Sequence, residues 1–445
     1  MLGRGTIAAL ATAPGRAAIA IVRLSGPDAF AALAQLGGRA IEPRRATLCR
    51  LADPATGEIL DRALVLTFPA PASYTGEDMA ELHVHGGRAV AASVLEALGK
   101  LGVAIAEPGE FTRRAFLHGK LDLTEVEALA DLIAAETREQ QRQAAEQLAG
   151  RLSATAETWR ARLVRAGALL EAAIDFPDED LPQDIALRAA SLLQGVRDEI
   201  ARELGNAHRG ERLREGLTVA LVGPVNSGKS TLLNALARRE VAIVSEHAGT
   251  TRDVLEVFLD LGGFPVTLID TAGLRDVADP VEAEGVRRAR ERAGRADVRL
   301  ATFPCGGGVE WRALGIVPTT DDILIRTISD LAPVGPPVPG WPGGASLAVS
   351  AKSGEGLDAL VAAIADRARK LMSAEDRPLV TRARHRQELE RALAAIGRAL
   401  AAPAGSPELA AEDIRSASHA LSRLVGRVDV EDLLDVIFGE FCIGK

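Results

Sequence analysis

Eight consecutive residues, Gly223-Pro224-Val225-Asn226-Ser227-Gly228-Lys229-Ser230, hold the spacing G-x-x-x-x-G-K-S. An apolar run, Leu217–Val222, leads into them, and the helix-forming stretch Thr231–Ala237 follows. In a strand–loop–helix setting the glycines let backbone N–H groups turn inward as an anion nest at a helix N-terminus. Lys229 is then placed to reach the β and γ phosphates of a nucleotide, and the Ser230 hydroxyl to ligate Mg²⁺. A plain glycine-rich turn is the alternative, and the agreement of strand, loop and helix weighs against it.

The residues that would complete such a site come further along. The strand-like run Val266–Ile269 ends in Asp270-Thr271-Ala272-Gly273. A carboxylate there can hold Mg²⁺ through water, and the Gly273 N–H can sense a γ-phosphate. Between the two lies Gly249-Thr250-Thr251-Arg252-Asp253, where a threonine can close the Mg²⁺ shell. In this order after a phosphate loop, the three segments point to a GTPase switch. Base selection calls for N/T-K-x-D, and the matching stretch is Thr327-Ile328-Ser329-Asp330. Asp330 can accept the guanine N1–H and exocyclic amine. Ile328 stands where lysine is expected, so guanine preference is expected with weakened affinity. Taken alone, Asp330 reads equally well as a surface turn carboxylate. Ser350-Ala351-Lys352 fits a further element that offers a backbone N–H to guanine O6.

Hydrolysis needs a group to orient water, and Leu274 occupies the place where switches of this kind carry glutamine. Glu282, past Asp276 and Asp279, is the candidate replacement; a solvated helix-start glutamate is the plainer reading. In place of an arginine finger, the Asn226 carbonyl oxygen could cage a monovalent cation with backbone oxygens from Ser245–His247, since hard oxygens suit such ions. A loop-stabilising side chain is the alternative for Asn226.

The elements that must position these residues are legible in outline. The chain has 445 residues, 47% hydrophobic and 25% charged, which marks a globular protein of several domains. With 52 Lys and Arg against 61 Asp and Glu, the net charge of −9 excludes a general polyanion coat, so nucleic acid must meet a local patch or a partner. With only 10 Phe, 3 Trp and 1 Tyr, a binder built on base-stacking platforms is excluded. Cys49, Cys305 and Cys442 have no short spacing, so no disulfide framework or cysteine zinc site is expected, and a cytoplasmic location suits that usage. Leu331–Ala351 is uncharged but broken by Pro333, Pro336, Pro337, Pro339 and Pro342, and it reads as a loop, not a span. The apolar stretch Gly5–Gly15 continues into β-prone Ala17–Val22, which reads as a first strand and not as an export signal.

The fold class expected is a multidomain α+β protein. Residues 1–120 mix short strands and helices; 121–214 and 373–445 form one discontinuous long-helix domain; 215–372 alternate strands and helices as an inserted α/β phosphate-loop domain. Within these, strands are read at Ala18–Leu24, Ala63–Phe68, Met79–Val84, Leu217–Val222, Val266–Asp270, Ile323–Arg326 and Leu347–Ser350. Helices are read at Val90–Leu101, Glu136–Glu171, Asp184–Arg214, Lys229–Arg239, Glu282–Arg292, Leu357–Met372, Thr381–Ala402, Glu408–Val425 and Val428–Phe438. The segment Ala301–Thr320 has little strand–helix texture.

Over nearly its full length the chain resembles the MnmE (TrmE) tRNA-modification GTPases. The resemblance rests on Thr75-Gly76-Glu77-Asp78, Pro108-Gly109-Glu110-Phe111-Thr112, Lys120-Leu121-Asp122-Leu123, Asp175-Phe176-Pro177-Asp178-Glu179, the segments above and the tail Phe441-Cys442-Ile443-Gly444-Lys445. It implies a homodimer joined through an N-terminal domain that binds a 5-formyl- or 5,10-methylene-tetrahydrofolate. It implies a heterotetramer with an FAD-containing subunit that builds a (carboxymethyl)aminomethyl-type group on C5 of the wobble uridine of certain tRNAs. GTP hydrolysis would be activated by K⁺ and by approach of two G domains. Matching positions imply folate contacts at Arg23, Glu81, Lys120 and Lys445, and K⁺ ligands at Asn226, Ser245, His247 and Thr250. They imply Mg²⁺ at Ser230 and Thr251, and catalytic roles for Glu282 and Cys442. The nucleotide contacts implied are Asn226, Ser227, Gly228, Lys229, Ser230 and Thr231, then Ser245, Glu246, His247, Ala248, Gly249, Thr250 and Thr251, then Asp270, Thr271, Ala272 and Gly273, and at the base Thr327, Asp330, Ser350, Ala351 and Lys352. Cys442 reads equally well as a small buried residue. From another functional class, a GTP-controlled assembly switch without covalent chemistry is the competing reading, and Ile328 motivates a third, a pseudo-GTPase.

Overall fold

The computed structural model describes residues 5–37, 41–175, 185–224, 226–239, 241–243, 256–270, 294–309, 311–314, 317–333, 338, 340–344, 346–374, 377–403, 406–428, 434, 437–439, 441 and 444. The chain divides into two compact units: Met1–Ala130 with Leu148–Arg160 and Ser418–Lys445, and Asp131–Gln147 with Ala161–Ala417.

In the first unit, β1 (Ile7–Leu10), β2 (Ile19–Ser25), β3 (Thr47–Ala52), β4 (Ile59–Phe68), β5 (Met79–His85) and β6 (Ala104–Ile105) form one sheet in the order β3-β4-β5-β2-β1-β6. Only β1 and β6 run parallel; the other neighbours are antiparallel. The strand β1 precedes the run at 17–22 that the sequence marks as the first strand. Helices α1 (Ala29–Gly37) and α2 (Arg88–Lys100) share a core with the sheet: Leu33, Leu36, Val94 and Leu98 pack with Val22, Leu24, Leu82 and Val84. Side chains alternate along a strand, so this burial turns Arg23, Glu81 and His83 to the opposite face. Helices α3 (Glu110–Leu117) and α4 (Leu123–Ala134) follow. The start of α4 is fixed by a reciprocal cap: the Glu125 N–H donates to Asp122 at 3.0 Å, and the Asp122 N–H donates to the Glu125 carboxylate at 2.8 Å. Leu123 and Val126 then bury against Leu434, Ile437, Phe438 and Phe441, which ties the tail to this unit.

In the second unit, α5 (Arg138–Leu148), α6 (Arg151–Asp175, from Ala161 onward) and α7 (Ile185–Glu215) lead into an α/β layer. The sequence marks one long helical run over Glu136–Glu171; Gly150, at φ 79°, lies where α5 and α6 separate. Strands β7 (Leu217–Val222), β8 (Ala242–Ile243), β9 (Glu256–Leu261), β10 (Phe264–Asp270), β11 (Val298–Pro304), β12 (Ile323–Thr327) and β13 (Leu347–Val349) form a sheet ordered β13-β12-β11-β7-β10-β9-β8. The run β13-β12-β11-β7-β10 is parallel, and β9 and β8 add an antiparallel edge. The sequence does not mark β8, β9 or β11, and residues 301–303, where it shows little strand–helix texture, are a buried stretch of β11. Helices α8 (Lys229–Ala237) and α9 (Leu357–Met372) cover one face through Leu232, Leu236, Leu360 and Ile364. On the other face Val222, Ala301, Phe303 and Leu324 meet Trp341, which stands edge-on to Trp311 at 6.0 Å. Helices α10 (Ala383–Ala401) and α11 (Pro407–Leu424) complete the described elements. The helices expected at Glu282–Arg292 and, for the most part, Val428–Phe438 lie outside the described residues. No helix among the described residues is long and apolar enough to cross a membrane.

The two chain crossings into the α/β layer are held by one helix face. Gln140, Gln143 and Gln147 of α5 recur at helical spacing and donate to the carbonyls of Arg214 (3.0 Å), Gly210 (3.3 Å) and Leu379 (2.7 Å). Asp131 accepts from both Arg214 (2.8 Å) and Arg382 (2.6 Å). Helix α7 approaches so closely that a Cβ at Gly210 would stand 2.1 Å from the Val380 oxygen, whereas a Cβ at Gly205 would meet nothing within 4 Å. Two alanine substitutions in one helix therefore have opposite signs. Gly210→Ala is expected to lower stability by about 1–3 kcal/mol through overpacking, and Gly205→Ala to raise it by about 0.5–1 kcal/mol. Denaturant titration followed by far-UV circular dichroism reads both; destabilisation of equal size would contradict the close approach.

Candidate functional site

Parallel strands place their following loops along one edge of a sheet, and ligands bind at the carboxyl ends where the strand order reverses. Here β7 lies between β10 and β11, and the loop that follows it is the glycine-rich stretch. The loop bends through left-handed backbone at Asn226 (φ 59°) and at Gly228 (φ 85°), which caps α8. Gly223 is obligatory for a different reason: a Cβ there would stand 2.3 Å from the carbonyl oxygen of Thr302. Lys229 is buried (6% exposed) and donates to the carbonyls of Gly223 (2.9 Å) and Pro224 (2.7 Å) and to the Ser227 hydroxyl (3.4 Å). Burial lowers its pKa, and the charge of Asp270 opposes that shift. The Ser230 hydroxyl donates to the Asp270 carboxylate at 2.6 Å. Thr231 is exposed on the first turn of α8. A cationic ammonium, a hydroxyl and a carboxylate thus meet at the mouth of an N–H-lined loop.

The end of β12 reaches the same edge. Thr327 donates to the Ser227 carbonyl at 2.7 Å, which ties the loop to this strand. The chain then turns through Ile328 at φ 61°. Left-handed backbone is a genuine outlier for a β-branched residue and costs on the order of 1–3 kcal/mol. The turn sends Asp330 to the surface, where its carboxylate accepts from Ser350 at 2.8 Å. Ser350 is buried and held by its own N–H to the Glu355 carbonyl at 2.9 Å; Ala351 is half-buried and Lys352 exposed. Asp330 therefore stands fixed beside the Ser350–Lys352 turn. The remaining expected nucleotide and ion contacts lie outside the described residues: Ser245, Glu246, His247, Ala248, Gly249, Thr250, Thr251, Thr271, Ala272 and Gly273, together with Glu282 and its neighbours Leu274, Asp276 and Asp279.

A second group of candidate residues is in the first unit. Arg23 and Glu81 are register partners, and the guanidinium donates twice to one Glu81 oxygen, at 3.0 and 2.9 Å. Its third contact is the Gly444 carbonyl at 3.4 Å, so the C-terminal tail reaches this pair. The guanidinium lies 5.6 Å from the Tyr74 ring and 5.8 Å from the Phe111 ring. His83 Nε2 stands 3.5 Å from the other Glu81 oxygen. Lys120 is exposed, and its side chain joins no hydrogen bond or ion pair among the described residues. Lys445 and Cys442 lie outside the described residues. Sequence reasoning did not single out Tyr74, Phe111 or His83 individually; the i, i+2 relation of His83 to Glu81 on a strand was the available signal. The motifs around the pair are largely structural: buried Arg114 donates to Glu77 (2.9 Å) and Glu110 (2.8 Å), Ser25 donates to Glu77 (2.7 Å), and Tyr74 bonds Thr112 (2.8 Å). Burial raises the Tyr74 pKa, against the pull of Thr112 and the charge of Arg23.

Two family models together match most of the chain. The family model described as the GTP-binding protein TrmE N-terminus matches residues 6–120, and that described as the MnmE helical domain matches residues 123–442. The chain belongs to the MnmE family. A protein of Parvibaculum lavamentivorans is 55% identical over 444 residues, covering 99% of this chain and 100% of that protein. One from Rhodospirillum rubrum is 53% identical over 455 residues, covering 99% of each. Both carry the name tRNA modification GTPase MnmE. The loop at Gly223–Ser230 and the carboxylate at Asp330 follow β7 and β12, which end at the same edge of the sheet.

The strain at Ile328 generates a prediction. Asparagine tolerates left-handed backbone, so Ile328→Asn is expected to raise stability by about 1 kcal/mol. A rise in the thermal midpoint checks it; an unchanged or lower midpoint would show that Ile328 is not strained.

Proposed function

We propose that this chain is a guanine-nucleotide hydrolase that acts in tRNA modification. The observation that carries the reading is the convergence of Lys229, the Ser230–Asp270 pair and the Asp330–Ser350 pair at the carboxyl ends of β7, β10, β12 and β13. Lys229 would keep its Ser227 contact and exchange the carbonyls of Gly223 and Pro224 for phosphate oxygens. This regains charge compensation for an ammonium that burial disfavours. The backbone N–H groups at the start of α8 would carry the remaining phosphate charge. Ser230 and Asp270 are hard oxygen donors that already face one another, and they fit Mg²⁺; such an ion neutralises charge between the β and γ phosphates. Asp330, oriented by Ser350, would accept the two guanine N–H groups. In hydrolysis water attacks the γ-phosphorus, the bond to the β–γ bridging oxygen breaks, and GDP and phosphate leave.

The finer reading follows the family resemblance. Asn226, Ser245, His247 and Thr250 would ligate K⁺, and Thr251 would join Ser230 at Mg²⁺. Glu282 would orient the attacking water, since Leu274 cannot. Arg23 and Glu81, with Lys120 and Lys445, would hold a tetrahydrofolate derivative; a cation between two aromatic rings beside a carboxylate suits a ligand with a donor edge and an anionic tail. Cys442 would act in the transfer chemistry. The working assembly would be a cytoplasmic homodimer joined with an FAD-dependent subunit, and its product an aminomethyl-type group on the wobble uridine. Residues 1–120 would form the folate and dimerisation domain, 215–372 the G domain, and 121–214 with 373–445 the helical domain.

Two measurements test this. Asp330→Asn is expected to weaken GTP binding at least about tenfold, from loss of charged hydrogen bonds, and to favour XTP; equal use of GTP by the variant would remove Asp330 from base recognition. GTP turnover at saturating nucleotide is expected to be faster in KCl than in NaCl, and to collapse in Glu282→Ala. Indifference to the alkali ion would contradict the cation assignment. Unchanged wobble-uridine modification in bulk tRNA after deletion of the protein would contradict the role in tRNA modification.

A further inference from the structure

Beneath the phosphate loop, β11 carries a buried polar side chain, Thr302, in the otherwise apolar run Leu300–Phe303. Its hydroxyl lies 2.8 Å from the hydroxyl of Ser227 and 3.2 Å from the carbonyl of Val222. Ser227 in turn accepts from Lys229 at 3.4 Å. Ser227 and Thr302 are fully buried and Lys229 is nearly so, which leaves no water to substitute for a missing partner.

The donor inventory fixes the direction of this chain. An ammonium only donates and a carbonyl only accepts, while each hydroxyl has one hydrogen to give. The Lys229 N–H therefore points to Ser227, the Ser227 O–H to Thr302, and the Thr302 O–H to Val222. The reverse order would have Ser227 accept from both Lys229 and Thr302, leaving its own hydrogen without an acceptor in this set and the Val222 carbonyl without its hydroxyl. Thr302 also sets the height of the loop, because a Cβ at Gly223 would lie 2.4 Å from the Thr302 hydroxyl oxygen.

We propose that Thr302 is a positioning residue for phosphate binding: by taking the Ser227 hydrogen it turns a Ser227 lone pair toward Lys229 and so holds the ammonium at the loop mouth. The proposal rests on the reading of Gly223–Ser230 as a nucleotide site, and its contact is with the loop, not with the nucleotide. In Thr302→Val, which keeps the shape, the Ser227 hydrogen loses its buried acceptor, and the hydroxyl is no longer held with a lone pair toward the ammonium. In Thr302→Ser the chain of hydrogen bonds is complete.

The test is the dissociation constant of a fluorescent GDP for the full chain, with thermal unfolding measured alongside. Thr302→Val is expected to bind about tenfold more weakly, and Thr302→Ser within twofold of the parent. In the Ser227→Ala background, Thr302→Val is expected to add less than a twofold change, because no hydrogen is left to misdirect. A packing role would instead weaken both backgrounds alike and overturn the proposal, as would parental affinity in Thr302→Val. Should that variant fail to fold, Ser227→Ala, expected to weaken binding about threefold, decides; parental affinity there overturns the proposal. Failure of the parent chain itself to bind GDP would reject the nucleotide reading, a result distinct from binding that ignores Thr302.

Discussion

A buried ammonium has to be surrounded by oxygen, and much of this edge of the sheet is arranged around that requirement. Lys229 draws the carbonyls of Gly223 and Pro224 and the hydroxyl of Ser227 onto itself. For those oxygens to face inward the loop must curl, and it curls through left-handed backbone at Asn226 and Gly228. Curling brings Gly223 against β11 at a distance that admits no side chain. The same geometry turns backbone N–H groups at the start of α8 outward, where an anion can meet them. Desolvation of the lysine makes it a stronger partner for phosphate than an exposed one, because the low local dielectric that penalises a lone charge favours a paired one.

The sheet explains why distant residues converge on that loop. Neighbouring parallel strands end at similar heights, so Asp270, Thr327 and the turn after Val349 come to one edge although long segments separate them in sequence. Thr327 and Thr302 then hold Ser227 from β12 and β11, one at its carbonyl and the other at its hydroxyl. Two faces of the sheet are covered differently. Leucines of α8 and α9 cover one face, and Trp341 with Phe303 covers the other.

The legible part of the sequence was the part written in glycine and in apolar period. The loop at 223–230 is recognisable because few arrangements need two glycines, a lysine and a hydroxyl at that spacing, and β7, α7 and α9 stand within a residue or two of their expected bounds. Asp330 was legible only by its neighbours, since a lone surface aspartate carries no address. What stayed hidden was set by tertiary contact. Thr302 is one polar residue in an apolar run, and nothing in the run says which partner it meets. The row Gln140, Gln143, Gln147 looks like a solvated helix face until the carbonyls of Arg214, Gly210 and Leu379 are seen opposite. Arg23 and Glu81 came from family resemblance alone; their pairing across β2 and β5, and the arrival of Gly444 beside them, are properties of register and of the folded tail.

The most direct measurement of the central claim is calorimetric titration of the chain with GTP and with ATP in Mg²⁺ buffer, repeated on Lys229→Ala. The account predicts saturable binding of GTP, no detectable binding of ATP, and loss of GTP binding in the variant. Equal affinity for the two nucleotides, or GTP binding that survives removal of the ammonium, would contradict it.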